Sequence, residues 1–479
     1  MHQLIGGERR TGRSIDSLTV REPASGNVLE RVDIASLGDI DDAVASANKA
    51  SVELEQLSFF ERAELLHVAA DRIDARADDH AEQLARESGK ALSAEAVDEL
   101  AESAEIFRLA AEEIKRLETH VLPSVDPRKR VFTHRKPNGV YALITPWNFP
   151  MNIPAELLAA ALAAGNPAVI KPSEHAPLSA LGLAEAVTEA GFPPGAVSVV
   201  MGRGDIGQAL ISHPGVHGVG FVGSRATAEF IVAAAGMKRT IIEASGNGPQ
   251  IVFDDADLAA AADAAVYGAH FVSGQCCVAT ERLLVHRSVH DEVVERLVER
   301  AERVVLGDPL DEATLMGPLN NHAVAARMDA HVDDAQALGA RVLCGGERQS
   351  DRPTDLYYEL TVIDDVTPAM DVFLDETFGP VIPVTSFDTD DEAFALANAS
   401  DLGLQASVFT KSLARAYRAV DELRSGTVLV NEGTAFWEQH PPFGGASRTG
   451  TGWGRIGGKY TILDMTDLRT AIIDTGYPA

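Results

Sequence analysis

Residues 140–174 read VYALITPWNFPMNIPAELLAAALAAGNPAVIKPSE. Val140 to Ile144 is a strand-forming apolar run, Pro154 to Ala164 a helical one, and Ala168 to Lys171 a second strand. Strand, helix and strand in that order form a crossover unit with parallel strands. The alternation continues downstream. Leu178 to Ala190 reads as helix, Val197 to Val200 as strand, Gln208 to Ser212 as helix and Val216 to Val222 as strand. Ala226 to Ala235 (helix) and Thr240 to Ile242 (strand) complete a parallel, doubly wound α/β sheet.

A second series follows a boundary near 244–255. Its helices are Leu258 to His270, Asp291 to Val304, Asp391 to Asn398 and Leu413 to Leu423. Its strands are Arg282 to His286, Val381 to Phe387 and Ala406 to Phe409. The expected fold is therefore α/β with two doubly wound α/β domains. Upstream, Pro23 to Asn27 marks a turn, Asp39 or Asp41 caps the next helix, and 59–118 reads as two long helices. Arg130 to Thr133 and Leu468 to Ile473 are β-type runs belonging to neither series, and they read as a small β-arm for oligomerisation. An arm strand on a monomer is an unpaired edge, so a homodimer or homotetramer is expected.

The 479 residues are 46% hydrophobic, enough for two or more full cores. A net charge of −30, from 71 acidic and 41 basic residues, argues against nucleic acid and against an anionic membrane as partner. Only 9 of the basic residues are lysine, which suits either a high-salt host or an acidic cytosolic protein. Of the three cysteines, two are sequence neighbours. A disulfide framework is not expected, and a cytoplasmic setting fits best. The first ten residues contain no apolar signal core, and the longest aliphatic stretch, Leu157 to Ala164, is too short to span a bilayer.

Three side chains carry candidate chemistry. Cys276 and Cys277 sit in Ser273-Gly274-Gln275-Cys276-Cys277. A thiolate adds to a carbonyl and later leaves, although a lone cysteine is more often a small buried residue. Glu243 follows the strand Thr240-Ile241-Ile242, at the strand mouth where open α/β sheets bind ligands. It reads as a base for water or as a paired surface carboxylate. Asn148, in Thr145-Pro146-Trp147-Asn148-Phe149-Pro150, offers two N–H donors to an oxyanion, or is an ordinary turn residue. Two segments suit a dinucleotide. Lys171 and Glu174 can bond ribose hydroxyls, and Gly202 to Gly207 matches G-x-G-x-x-G, although no acid ends the next strand. Gly223-Ser224 opens a helix whose N–H groups can receive phosphate.

These segments, with Glu87 to Lys90, Phe221 to Ser224, Glu243 to Pro249, Glu376 to Pro380 and Pro442 to Gly445, resemble the aldehyde dehydrogenase superfamily along nearly the whole chain. The resemblance implies Cys277 as nucleophile with Cys276 packed beside it, Glu243 as general base, and Asn148 with the Cys277 N–H as oxyanion site. It implies NAD as cofactor, with NADP as the alternative. Lys171 and Glu174 would read the adenosine ribose, Ser224 and Gly204 lie near the pyrophosphate, Trp147, Pro146 and Phe378 line the cofactor site, and Glu376 holds the nicotinamide ribose. No metal is implied. The implied division is 1–125 and 139–246 for a Rossmann-like NAD-binding domain, 247–440 for a catalytic domain, and 126–138 with 460–479 for the arm. The chain departs from the family pattern at Val222, Ser245, Val272-Ser273 and Thr449. The implied reaction oxidises an aldehyde to its acid through a thiohemiacetal and a thioester hydrolysed by Glu-activated water. A CoA-acylating semialdehyde dehydrogenase and a non-catalytic relative are the rivals, and both are expected to have lost residues present here. Phe149, Phe271 and Trp437, with Phe436, would make a tunnel for an aromatic or medium aliphatic aldehyde. Arg448 and His440 would instead greet an anionic semialdehyde.

Overall fold

In the computed structural model, which describes residues 2–476, two parallel-centred sheets lie at the heart of the chain. In the first, the strands Tyr141–Thr145, Ala168–Pro172, Val197–Val199, Gly218–Gly223 and Arg239–Ala244 follow one another in sequence. In space, Tyr141–Thr145 lies between Ala168–Pro172 and Gly218–Gly223, all parallel. The chain thus walks out to Val197–Val199, then returns to the other side of its first strand. The crevice at that reversal is where an open α/β sheet accepts a ligand. Residues on both edges extend this sheet. Gln3–Ile5 and Glu8–Arg10 add beyond Val197–Val199, and Gly452–Trp453 pairs antiparallel with Arg239–Ala244. The strands are buried on both faces, which is why they read as continuous apolar runs.

The second sheet runs Arg341–Cys344, Thr361–Asp364, Val381–Phe387, Arg282–His286, Pro249–Val252, Gln405–Phe409, Thr427–Val430. Its pairings are parallel except at Arg341–Cys344. The expected boundary at 244–255 therefore contains a central strand of this sheet, Pro249–Val252. Only four residues long, it starts on a proline, a position strands tolerate.

Two local expectations change. Ser36, not Asp39 or Asp41, caps the helix Leu37–Gln56. Its hydroxyl accepts the Asp39 N–H while the Asp39 carboxylate accepts the Ser36 N–H, a reciprocal capping box. The span 59–118 is not two helices but Phe59–Asp74, Ala77–Ser88 and Val97–Ile114, the last entered through a π-turn at Leu92–Ala96. Gly89, left-handed at φ 89, ends the second of them.

The arm is a separate three-stranded sheet. Thr466–Asp474 pairs antiparallel with Lys129–Pro137 along nine positions, and Val121–Leu122 adds on the far side. Residues 477–479 of the expected arm lie outside the described residues. No described helix is long and apolar enough to cross a membrane.

Candidate active site

Cys276 and Cys277 follow a strained turn. After the helix Leu258–His270 the chain makes a tight turn, Phe271–Gly274, in which Val272 (φ 53), Ser273 (φ 55) and Gly274 (φ 69) are all left-handed. For β-branched Val272 that conformation is costly and persists only if its surroundings hold it. They do. The Glu95 carboxylate accepts the Val272 N–H at 2.6 Å, and the Ser273 hydroxyl donates to the Gly317 carbonyl at 2.7 Å. The Gln275 side chain donates to the Val272 carbonyl and accepts the Asn320 N–H. A Cβ on Gly274 would lie 2.1 Å from the Gly379 carbonyl oxygen, so this position requires glycine twice over.

Asn148 reaches the same turn from the end of Tyr141–Thr145. Its Nδ2 donates to the Gln275 carbonyl at 2.9 Å, which uses one N–H and leaves the second for another acceptor. Glu243, at the end of Arg239–Ala244, is buried, and its Oε1 has no hydrogen-bond partner among the described residues. Burial, with Glu376 next, pushes its carboxyl well above the usual range. Gly246 brings these segments together. A Cβ there would lie 2.0 Å from the Cys277 carbonyl oxygen, and its N–H donates to Glu376 Oε1 at 2.9 Å. Gly246→Ala is therefore expected to cost about 1–3 kcal/mol by forcing backbone apart, measured as a lower urea midpoint with unchanged slope.

Two cavities meet at the thiol. A cleft of about 240 Å³ is lined by Pro146, Trp147, Asn148, His175, Val222, Gly223, Ser224, Glu243, Ser245, Cys277, Arg327, Glu376 and Phe378. A tunnel of about 330 Å³ on the other side is lined by Phe149, Phe271, Trp437, Tyr267, Phe436 and Phe443, and also ends on Glu243, Cys276 and Cys277. Cys277 is half-buried and faces both; Cys276 is 3% exposed and faces only the tunnel. Contact with the neighbouring Cys276 sulfur, then burial, then Glu243 push the Cys277 thiol well above the ordinary thiol value.

The cleft lies at the sheet's reversal, and its residues suit a dinucleotide. Ser224 precedes the helix Arg225–Ala235, and its side chain caps no backbone N–H there. Trp147 and Phe378 pack edge-on at 5.6 Å, making an apolar wall. Glu376 is half-buried, and desolvation pushes its carboxyl up to about 7. Lys171 and Glu174, which pair at 3.6 Å, and Gly204 lie outside this cleft's lining. The helix Gly204–Ser212 packs Gly207 beside the Lys171 stem. Five of the eight cofactor candidates thus converge with the three candidate catalytic residues, and three lie apart from them. Phe149, Phe271 and Trp437 all line the tunnel; Arg448 is exposed and does not, while His440 sits in an outer cavity beside Trp437.

The family model for the aldehyde dehydrogenase family matches residues 10–471. The chain belongs to the aldehyde dehydrogenase family. It is 37% identical to the mitochondrial succinate-semialdehyde dehydrogenase of Arabidopsis thaliana, over 97% of this chain and 88% of that protein. It is also 37% identical to the benzaldehyde dehydrogenase [NAD(+)] of Pseudomonas putida, over 93% of this chain and 91% of that protein. The crystal structure of an NAD-dependent aldehyde dehydrogenase from Sinorhizobium meliloti superposes with a TM-score of 0.96 at 35% identity, covering 100% of this chain and 95% of that one.

Within this aldehyde dehydrogenase, sequence reading missed Glu95, Gln275, Arg327, Tyr267, Phe443, Glu102 and Glu156. Arg327 comes from the helix His322–Ala337, which carries no motif. Gly246 lies inside the Glu243 to Pro249 segment, but its contact with Cys277 cannot be read from order along the chain. Ser245 is left-handed at φ 70 and lines the cleft together with Glu376.

Proposed function

We propose that this chain oxidises an apolar, aromatic or medium aliphatic aldehyde to its carboxylic acid with NAD as hydride acceptor, Cys277 as nucleophile, Glu243 as general base and Asn148 as oxyanion donor. The carrying observation is that a tunnel lined by aromatics and a polar cleft open onto the same half-buried sulfur. An aldehyde entering through the tunnel meets Cys277 from one side, and the cleft leaves room for the cofactor on the other. The fit of the cleft rests on helix N–H groups for phosphate at Ser224, Glu376 for ribose hydroxyls and the Trp147–Phe378 wall for a ring. Glu174, placed with Lys171, repels a 2′-phosphate, which favours NAD over NADP.

The Cys277 thiolate adds to the carbonyl carbon, and the oxygen becomes an oxyanion that accepts the free Asn148 N–H and the Cys277 backbone N–H. NAD, when bound, takes the hydride and its electron pair. The sulfur then carries an acyl group as a thioester. Glu243 accepts a proton from water, the hydroxide adds to the thioester carbonyl, and the C–S bond breaks to release the acid and the thiolate. Asn148→Ala removes one oxyanion donor and is expected to lower kcat on the order of 10²-fold, with the protein's melting temperature as the control for folding.

Both reacting groups are active when deprotonated, and both are pushed above their ordinary values. Their active fractions grow as pH rises, so kcat/KM, which depends on the Cys277 thiolate, and kcat, which depends on Glu243 through deacylation, should both climb from neutral into the alkaline range. A profile that falls over that range contradicts the assignment. The test of the whole reading is NADH formation with purified protein, NAD and a panel of benzaldehyde, vanillin, a straight-chain aldehyde, succinate semialdehyde and lactaldehyde, with and without CoA. Turnover without CoA supports hydrolysis, and turnover only with CoA overturns the role of Glu243.

The chain also fits a cytoplasmic homodimer or homotetramer. The arm sheet leaves Val121, Leu122, Leu468, Ile472 and Ile473 exposed, which a partner subunit would cover.

A further inference from the structure

The helix Asn152–Ala164 reads NIPAELLAAALAA, and Glu156 is its only ionisable residue. Its neighbours in the helix are the most uniformly buried apolar residues of the first sheet's core. An acid there is costly unless something answers it. Glu156 is 5% exposed, and its Oε1 has no hydrogen-bond partner among the described residues. Asn152, Ile153 and Glu156, one helical turn, all face the tunnel. Glu102 joins them from the helix Val97–Ile114, accepting a hydrogen bond from Asn152 Nδ2 at 3.0 Å. It lines both the tunnel and the outer cavity, so it stands at the passage between them.

Among the described residues no lysine, arginine or histidine lines the tunnel, whereas Glu102, Glu156, Glu243 and Glu432 do. Lys90 packs against the Phe149 ring, 3.6 Å from its centre, and is already paired with Glu99. Burial, with Glu102 next, pushes the Glu156 carboxyl up to about 8. Arg108, Arg116 and His440 stay in the outer cavity, beyond Glu102.

Resting on the reading of the tunnel as the aldehyde's entrance, we propose that Glu156 and Glu102 form a head-group site selecting aldehydes whose far end donates a hydrogen bond, through a hydroxyl or an ammonium, and excluding aldehydes that carry a carboxylate. A carboxylate brought into this tunnel loses its water and meets no cation to offset its charge. A donor head group supplies the partner that Glu156 lacks, and an analogue without the donor leaves that acid unpaired. Glu156 is thus a specificity residue, separate from the reacting trio.

The experiment compares benzaldehyde with its hydroxy, dimethylaminomethyl and carboxy derivatives, in the wild-type protein and in Glu156→Leu and Glu156→Gln. Each protein is read by the ratio of kcat/KM between aldehydes, so a general loss from imperfect folding cancels. In the wild type, the hydroxy or the ammonium derivative should exceed benzaldehyde by about tenfold or more, and the carboxy derivative should fall at least as far below it. Preference for the hydroxy derivative assigns the site to hydroxyls, and preference for the ammonium derivative assigns it to cations. Glu156→Leu should bring all ratios toward one, with Glu156→Gln retaining part of the hydroxyl preference and losing any ammonium preference. Equal turnover of the carboxy and hydroxy derivatives by the wild type, or ratios unmoved by Glu156→Leu, overturns the proposal. Absence of turnover with every aldehyde overturns the underlying reading of the tunnel instead, and the two failures are distinct.

Discussion

Cys277→Ala is expected to lower aldehyde oxidation on the order of 10⁶-fold, the scale on which loss of a covalent nucleophile removes catalysis. No second sulfur can take its place. Cys276 is the nearest candidate, but it is 3% exposed and faces only the tunnel, whereas Cys277 opens to both cavities. A group that must receive the aldehyde and then present its hydrogen to a cofactor has to face both. The paired variant Cys276→Ala should keep the covalent chemistry, because no reacting bond passes through that sulfur. The measurement is NADH formation by each variant, with an alkylating probe to count labelled thiols. An active Cys277→Ala, or an inactive but folded Cys276→Ala, would reverse the assignment of the two sulfurs.

Glu243→Gln is expected to separate the two halves of the reaction. The amide cannot take a proton from water, so hydrolysis of the thioester slows by about 10²–10⁴-fold, the usual contribution of a general base. Attack by the thiolate and formation of the acyl-enzyme do not consume that proton acceptor. The variant should therefore release one NADH per active site in a burst and then stall, with the acyl group visible as added mass on the intact protein. Because the raised carboxyl of Glu243 governs only deacylation, the rising alkaline limb of the steady-state rate should flatten in this variant. A slow rate without a burst would mean that Glu243 acts before the hydride leaves, on the thiol itself. Ser245 bears on the same step. Left-handed at φ 70 and lining the cleft beside Glu376, it limits how the adjoining strand end can move.

The alternating strands and helices were legible because each element is a local run with its own period, and a strand buried on both faces cannot hide its apolar stretch. Asn148, Glu243 and Cys277 were legible through short motifs at strand ends and before a turn. The strand Pro249–Val252 was not, since four residues with a proline and a glutamine carry too little pattern. The π-turn at Leu92–Ala96 was lost for a related reason: one extra residue per turn does not disturb a helical hydrophobic period enough to be seen. Glu95 was invisible because its partner, the Val272 N–H, is 177 residues away. Glu156 belongs to no motif, and only the fold places it, buried, on the tunnel wall.

The sequence by itself determined the α/β class and the crossover topology of the first sheet, and it named the three side chains proposed to react. These depend on hydrophobic period and on the chemistry each residue type can perform, both local properties. Only the tertiary structure decided which of two adjacent sulfurs faces both cavities, which hydrogen bonds hold Val272 and Ser273 in a left-handed turn, and which acids line the tunnel without a cation. Those depend on which distant segments share a volume, on burial and on distances of a few ångströms, and no order of residues along a chain states them.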